Sequence, residues 1–137
     1  MKAEFTLGLS EIDEAVHFLE EHIRQNTILF LSGDLAAGKT TLASAIAKSK
    51  GFVSGATSPT FSLQQCYGER LFHYDLYRIT NEEFFALGLH EEFDKEGWHL
   101  VEWADAPLKE FLANAGYNTA SIDITSTGKS RHYTIEV

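Results

Sequence analysis

Apolar and polar positions along the chain switch repeatedly between strand-like and helix-like spacing. "AEFTL" reads as a short strand. In "SEIDEAVHFLEEHI", Ile12, Ala15, Val16, Leu19 and Ile23 then fall on one helical face. Ser10, with Asp13 three residues on, reads as an N-terminal capping pair for that helix. "TILFL" is a short apolar run of the kind buried on both faces of a parallel sheet, and "TTLASAIAKS" predicts a helix. "GFVSGATSPTF" is a loop rich in Gly, Ser and Thr. "SLQQCY" and "LFHYDLYR" read as two strands of a hairpin joined at Gly68. "TNEEFFALGL" opens on a capping box, Thr80 and Glu83, and stops near Gly88. After the apolar strand "WHLVEW" comes the helix "APLKEFLANAG", with Pro107 near its first turn and Gly116 near its end. "ASIDITS" and "RHYTIEV" form a C-terminal hairpin. The pattern predicts an α/β fold over residues 1–137, one domain with a mixed parallel and antiparallel sheet flanked by helices.

Composition narrows the picture. At 137 residues the chain has the size of one domain, and 44% hydrophobic with 23% charged residues suits a globular one. Eleven Lys and Arg against 20 Asp and Glu give a net charge of −9, which argues against a broad electrostatic grip on nucleic acid. Cys66 is the single cysteine, so no intrachain disulfide forms. No stretch is long and apolar enough to span a membrane, and the N-terminus carries no secretory apolar region. A cytoplasmic location is expected.

The chemistry concentrates in "GDLAAGKT", directly behind "TILFLS". Gly33, Gly38, Lys39 and Thr40 meet the pattern G-x-x-x-x-G-K-[ST], with Asp34, Leu35, Ala36 and Ala37 between the glycines. The glycines let the backbone turn and bring its N–H groups close to anionic oxygens. The following helix points its positive end at phosphate. Lys39 can reach the β- and γ-phosphates, and the Thr40 hydroxyl can ligate Mg²⁺; Thr41 offers a second hydroxyl at the same place. A glycine turn leading into a helix is the plain alternative, but the strand before and helix after are the context that a nucleotide-binding loop needs.

Two acids are candidates for Mg²⁺ and the attacking water. Asp75 in "LFHYDLYR" shares a strand face with His73, while Phe72, Tyr74 and Leu76 share the other. Glu102 ends the apolar run "HLVE", and open α/β sheets bind ligands beyond the carboxyl ends of their strands. Asp34 and Asp105 suit helix or loop capping better. In "TSPTF", Pro59 restricts its neighbour and would hold Thr60 extended, either as a switch threonine sensing Mg²⁺ and the γ-phosphate or as a simple Ser/Thr/Pro turn. His17, His22, His90, His99 and His132 do not converge at metal-ligand spacing, so a zinc site is not expected. Cys66 has no activating His or Lys beside it in sequence. "HEEFDKE" reads as a solvated helix face or a partner surface.

Taken together, "GDLAAGKTT", "TSPTF", "HYDLYR" and "VEWAD" resemble, in order and spacing, the TsaE (YjeE-type) P-loop ATPases of bacterial tRNA threonylcarbamoyladenosine synthesis. The resemblance spans nearly the whole chain. It implies a P-loop fold, ATP with Mg²⁺, ATPase activity that is weak alone, and work with the TsaB–TsaD complex, through which tRNA is met indirectly. It places Gly33–Thr41 on the phosphates, Thr60 in a switch-like loop, and Asp75 and Glu102 at the Mg²⁺ and water site. It also implies that Trp103 lies near the nucleotide or a partner, with core packing the alternative. The family's C-terminal basic residue corresponds to Lys129 or Arg131 in "TGKSRHY", and the base would lie near Ser10. Ala36 stands where the family commonly has Gly, and Ala104 where many relatives have Pro.

Two other functions use the same loop. A small-molecule kinase would also need an acceptor pocket and a lid bearing arginines, and only Arg70 and Arg78 lie mid-chain after the loop. A nucleotide-gated binding module would differ only in lacking significant turnover. A GTP switch would carry Asn-Lys-x-Asp, which the sequence lacks.

Overall fold

The computed structural model describes residues 1–33, 38–52 and 63–137. Asp34, Leu35, Ala36, Ala37 and the "TSPTF" segment with Thr60 lie outside the described residues. Among the described residues, seven strands make one sheet: β1 (Lys2–Gly8), β2 (Thr27–Ser32), β3 (Gln64–Tyr67), β4 (Leu71–Asp75), β5 (Trp98–Glu102), β6 (Thr119–Thr127) and β7 (Ser130–Glu136). Four α-helices accompany them among the same residues: α1 (Asp13–His22), α2 (Lys39–Ser49), α3 (Asn81–Ala86) and α4 (Ala106–Asn114).

The sheet order is β1-β7-β6-β2-β5-β4-β3. β6, β2, β5 and β4 run parallel, whereas β3 and the β7–β1 pair are antiparallel additions at the two edges. The apolar run "TILFL" becomes the central strand β2, buried from Thr27 to Leu31 because helices cover both faces. One face packs Leu29, Leu31, Leu100 and Ile122 against α1 and α2 through Ala15, Leu19, Leu42 and Ile46. The opposite face packs Phe30, Phe72, Tyr74 and Val101 against α3 and α4 through Phe84, Leu108 and Leu112.

Local chemistry sets several boundaries as the sequence predicts. The Thr80 hydroxyl accepts from the Glu83 N–H at 3.1 Å, and the Thr80 N–H donates to the Glu83 carboxylate at 3.0 Å. Asp105 caps α4 by accepting from the Leu108 N–H at 2.9 Å. The expected Ser10–Asp13 pair does not form. Residues Leu9–Glu11 make a 3₁₀ turn instead, the Gly8 N–H donates to Glu11 at 3.0 Å, and α1 starts at Asp13 without a side-chain cap. β4 also stops earlier than "LFHYDLYR" suggests. The Asp75 carboxylate accepts from the Tyr77 N–H at 3.1 Å, an Asx-type turn that ends the strand.

A buried polar chain ties β4 to β5 on the α3/α4 face. The His99 Nε2–H donates to the Lys95 carbonyl at 2.8 Å, so Nδ1 accepts from the Tyr74 hydroxyl at 2.7 Å. The Tyr74 oxygen accepts in turn from Gln64 at 3.2 Å. His99 also stacks on Phe72, centroids 4.6 Å apart.

Candidate functional site

The parallel strands β2, β5 and β4 end together at the carboxyl edge of the sheet. Across that edge the register aligns Leu31 of β2, Glu102 of β5 and Asp75 of β4. Strand parity puts Asp75, Glu102 and His73 on the α1/α2 face, since they alternate with Tyr74 and Val101 of the opposite core. Of the helices that begin at this edge, α2 is the one that follows β2. Gly38, at φ 107°, sits at its N-cap and Gly33 at φ 151°, both backbone conformations that L side chains rarely adopt. No acidic residue occupies the first turn of α2, so the positive end of its dipole is not neutralised locally.

Lys39 opens α2 and is only 4% exposed. Its Nζ donates to the Gly33 carbonyl at 2.5 Å and lies 4.2 Å from the centre of the Trp103 ring. Tyr77 also packs against that ring, centroids 4.9 Å apart. Trp103 is not core: it is 36% exposed and stands at φ 66°, the one non-glycine residue in the left-handed region among the described residues. Ala104 follows it, partly buried against the α3/α4 core, and the turn leading to α4 forms without a proline at position 104.

Glu102 is 4% exposed, and its Oε2 accepts from His73 Nε2 at 2.5 Å. Thr40 is half-buried in the first turn of α2, and Thr41 is exposed. Of the two C-terminal basic candidates, Lys129 stays in the exposed hairpin turn. Arg131 points inward from β7: a Cβ placed on Gly38 would come within 3.5 Å of its Nε. Ser10 is exposed on the 3₁₀ turn beyond Gly8, which pairs with Ser130. The structure thus gathers Gly33, Gly38, Lys39, Thr40, Trp103 and Arg131 around the start of α2, with Asp75 and Glu102 on the neighbouring strand ends. His73, buried behind Glu102, is the residue that sequence reasoning left without a role. The signal was its shared face with Asp75.

The fold and the site define an α/β domain with a mixed sheet, in which a glycine-flanked helix start meets two acids at the carboxyl ends of parallel strands. The family model described as "Threonylcarbamoyl adenosine biosynthesis protein TsaE" matches residues 8–133, and the chain belongs to this family. A "tRNA threonylcarbamoyladenosine biosynthesis protein TsaE" of Haemophilus influenzae is 32% identical over 126 residues, covering 82% of this chain and 80% of that protein. The protein of the same name from Bacillus subtilis is 36% identical over 112 residues, covering 74% and 70%. The crystal structure of Bacillus subtilis YdiB superposes with a TM-score of 0.66 at 26% identity, over 98% of this chain and 84% of the other. Among the described residues, no helix is long and apolar enough to cross a membrane.

Proposed function

We propose that this chain binds ATP with Mg²⁺ at the carboxyl edge of its sheet and hydrolyses it, weakly alone, in support of tRNA threonylcarbamoyladenosine synthesis by the TsaB–TsaD complex. The observation that carries the reading is the start of α2: a buried lysine at the first helical position, two positive-φ glycines, and two acids across adjacent strand ends. The phosphates take the backbone N–H groups of the helix start and the Lys39 ammonium, which exchanges the Gly33 carbonyl for phosphate oxygen. Arg131 faces the same place from β7 and adds a second cation. Asp34–Ala37 complete the loop in this reading, and Thr60 senses the γ-phosphate.

The residues present fit Mg²⁺. They offer a few hard oxygens, from the Thr40 hydroxyl with Thr41 beside it and from Asp75 or Glu102. Among the described residues no group of three or more His, Cys, Asp or Glu forms an all-protein cage, as suits an ion that keeps waters and phosphates as ligands. Bound there, Mg²⁺ would neutralise charge on the β- and γ-phosphates. Glu102 then orients a water. The water oxygen bonds to the γ-phosphorus as the bond to the β–γ bridging oxygen breaks. ADP leaves with that electron pair, and the water's proton passes to phosphate or solvent.

Single-turnover rates and ATP affinities of Glu102→Gln and Asp75→Asn, measured with TsaB–TsaD present, test this division of labour. Glu102→Gln is expected to slow hydrolysis roughly 10²–10⁴-fold with little change in affinity, and Asp75→Asn to impair both. Parental hydrolysis in both variants would remove the two acids from the catalytic account. Unchanged ATP affinity in both would remove them from the Mg²⁺ site.

A further inference from the structure

His73 lies at the middle of β4, 0% exposed, on the same face as Asp75 and Glu102. The β4–β5 register places it opposite Leu100, one step below the Asp75–Glu102 pair, so its ring reaches diagonally up to Glu102 from inside the sheet. Its Nε2 is 2.5 Å from Glu102 Oε2, with both side chains almost wholly enclosed, at 0% and 5% exposure. The other ring nitrogen, Nδ1, is buried without a partner among the described residues. That asymmetry settles the tautomer. An orphaned N–H donor in the core costs more than an orphaned lone pair, so the proton sits on Nε2, which donates to the carboxylate.

The arrangement is expensive to fold. A buried carboxyl group with a single hydrogen-bond partner is poorly compensated for its lost hydration, and an apolar pair of similar volume would pack here at less cost. Among the described residues Glu102 has no second hydrogen-bond partner. One oxygen is therefore fixed from beneath, and the other is left for a group arriving at the sheet edge. Enclosed as it is, His73 cannot itself meet a ligand at that edge.

We propose that His73 is a positioning residue for the hydrolytic step: its Nε2–H clamps one oxygen of Glu102 so that the other is aimed at the water opposite the γ-phosphate. The proposal rests on the reading of Glu102 given above, and its test separates the two. His73→Leu removes the donor at similar volume, and His73→Gln restores a donating amide near the same position. Each is measured alone and combined with Glu102→Gln, for ATP affinity by titration calorimetry, for thermal midpoint, and for single-turnover hydrolysis with TsaB–TsaD.

His73→Leu is expected to lower the rate roughly ten- to hundredfold with ATP affinity within about twofold. His73→Gln should recover most of the rate, and His73→Leu should cost nothing further once Glu102→Gln is present. A parental rate in folded His73→Leu alongside a slow Glu102→Gln overturns the positioning role and leaves the reading of Glu102 standing. Additive losses in the double variant overturn it too. A parental rate in Glu102→Gln overturns the reading itself, and the clamp with it. Should His73→Leu fail to fold, nitrogen NMR of the unaltered chain decides: a slowly exchanging proton on His73 Nε2 is expected, and a proton on Nδ1 overturns the proposal.

Discussion

Single side chains at the start of α2 carry the sharpest consequences. Lys39 is satisfied by the Gly33 carbonyl and the Trp103 face, while α2 is anchored by Leu42 and Ile46, both 0% exposed. Lys39→Ala should therefore leave the fold intact and lose about 1.5–3 kcal/mol of ATP binding, roughly ten- to more than a hundredfold in affinity. Calorimetry on a variant with a parental circular-dichroism spectrum checks it. Trp103 makes a different demand, because a bulky residue in the left-handed region costs about 1–2 kcal/mol. Ala and Gly at this position both forfeit the ring contacts with Lys39 and Tyr77, but only Gly relieves the backbone. Trp103→Gly should be more stable than Trp103→Ala by about 1 kcal/mol in urea unfolding. Equal midpoints would mean that the left-handed turn is free of strain.

At the level of elements, β4 and β5 are joined on one face by His73–Glu102 and on the other by the Tyr74–His99 chain. Burial holds the His99 pKa below its ordinary value, against smaller upward pulls from the Lys95 carbonyl and Glu92. The unfolded chain takes up that proton near pH 6.5, whereas the folded chain resists it until lower pH. His99 thus contributes stability that is present above pH ~6.5 and is lost as pH falls through the lowered folded value. Urea midpoints should drop between pH 7.5 and 5.5, with a shallower slope in His99→Phe. The same pair of strands shows what was legible in the sequence. Parity alone put His73 and Asp75 on one face, and the Thr80–Glu83 box and Asp105 cap followed from local spacing. The partnership of His73 with Glu102 joins residues 29 apart through a parallel register, for which no local pattern exists. Ser10 illustrates a local competition that spacing could not decide: Glu11 takes the Gly8 N–H in a 3₁₀ turn, and the helix begins after it. Trp103's backbone had no sequence signal, since a glycine would ordinarily mark such a turn.

For the whole molecule, the order of strands matters more than their number. β2, which leads into the glycine-rich loop, lies between β5 and β6, and its residues Thr27 and Ile28 pair with Trp98 and Thr119. Among the described residues β1 pairs with β7 alone, Lys2 opposite Glu136. A chain ending after Gly116 would lack β6 and β7, leaving β1 unpaired and one flank of β2 open. Such a chain should show no cooperative unfolding transition and no thermal stabilisation by ATP, whereas the full chain should gain about 2.7 kcal/mol at a hundredfold excess of ATP over Kd. A melt of both chains with and without nucleotide checks this. The topology also imposes a timetable on synthesis. The loop sequence is made before either partner of β2, and that strand waits for residues some 70 and 90 positions later, a non-local pairing that is slow to form. On the function proposed above, the loop sequence is therefore made well before the strands that flank β2, and ATP capture should begin only after β5 and β6 have joined it.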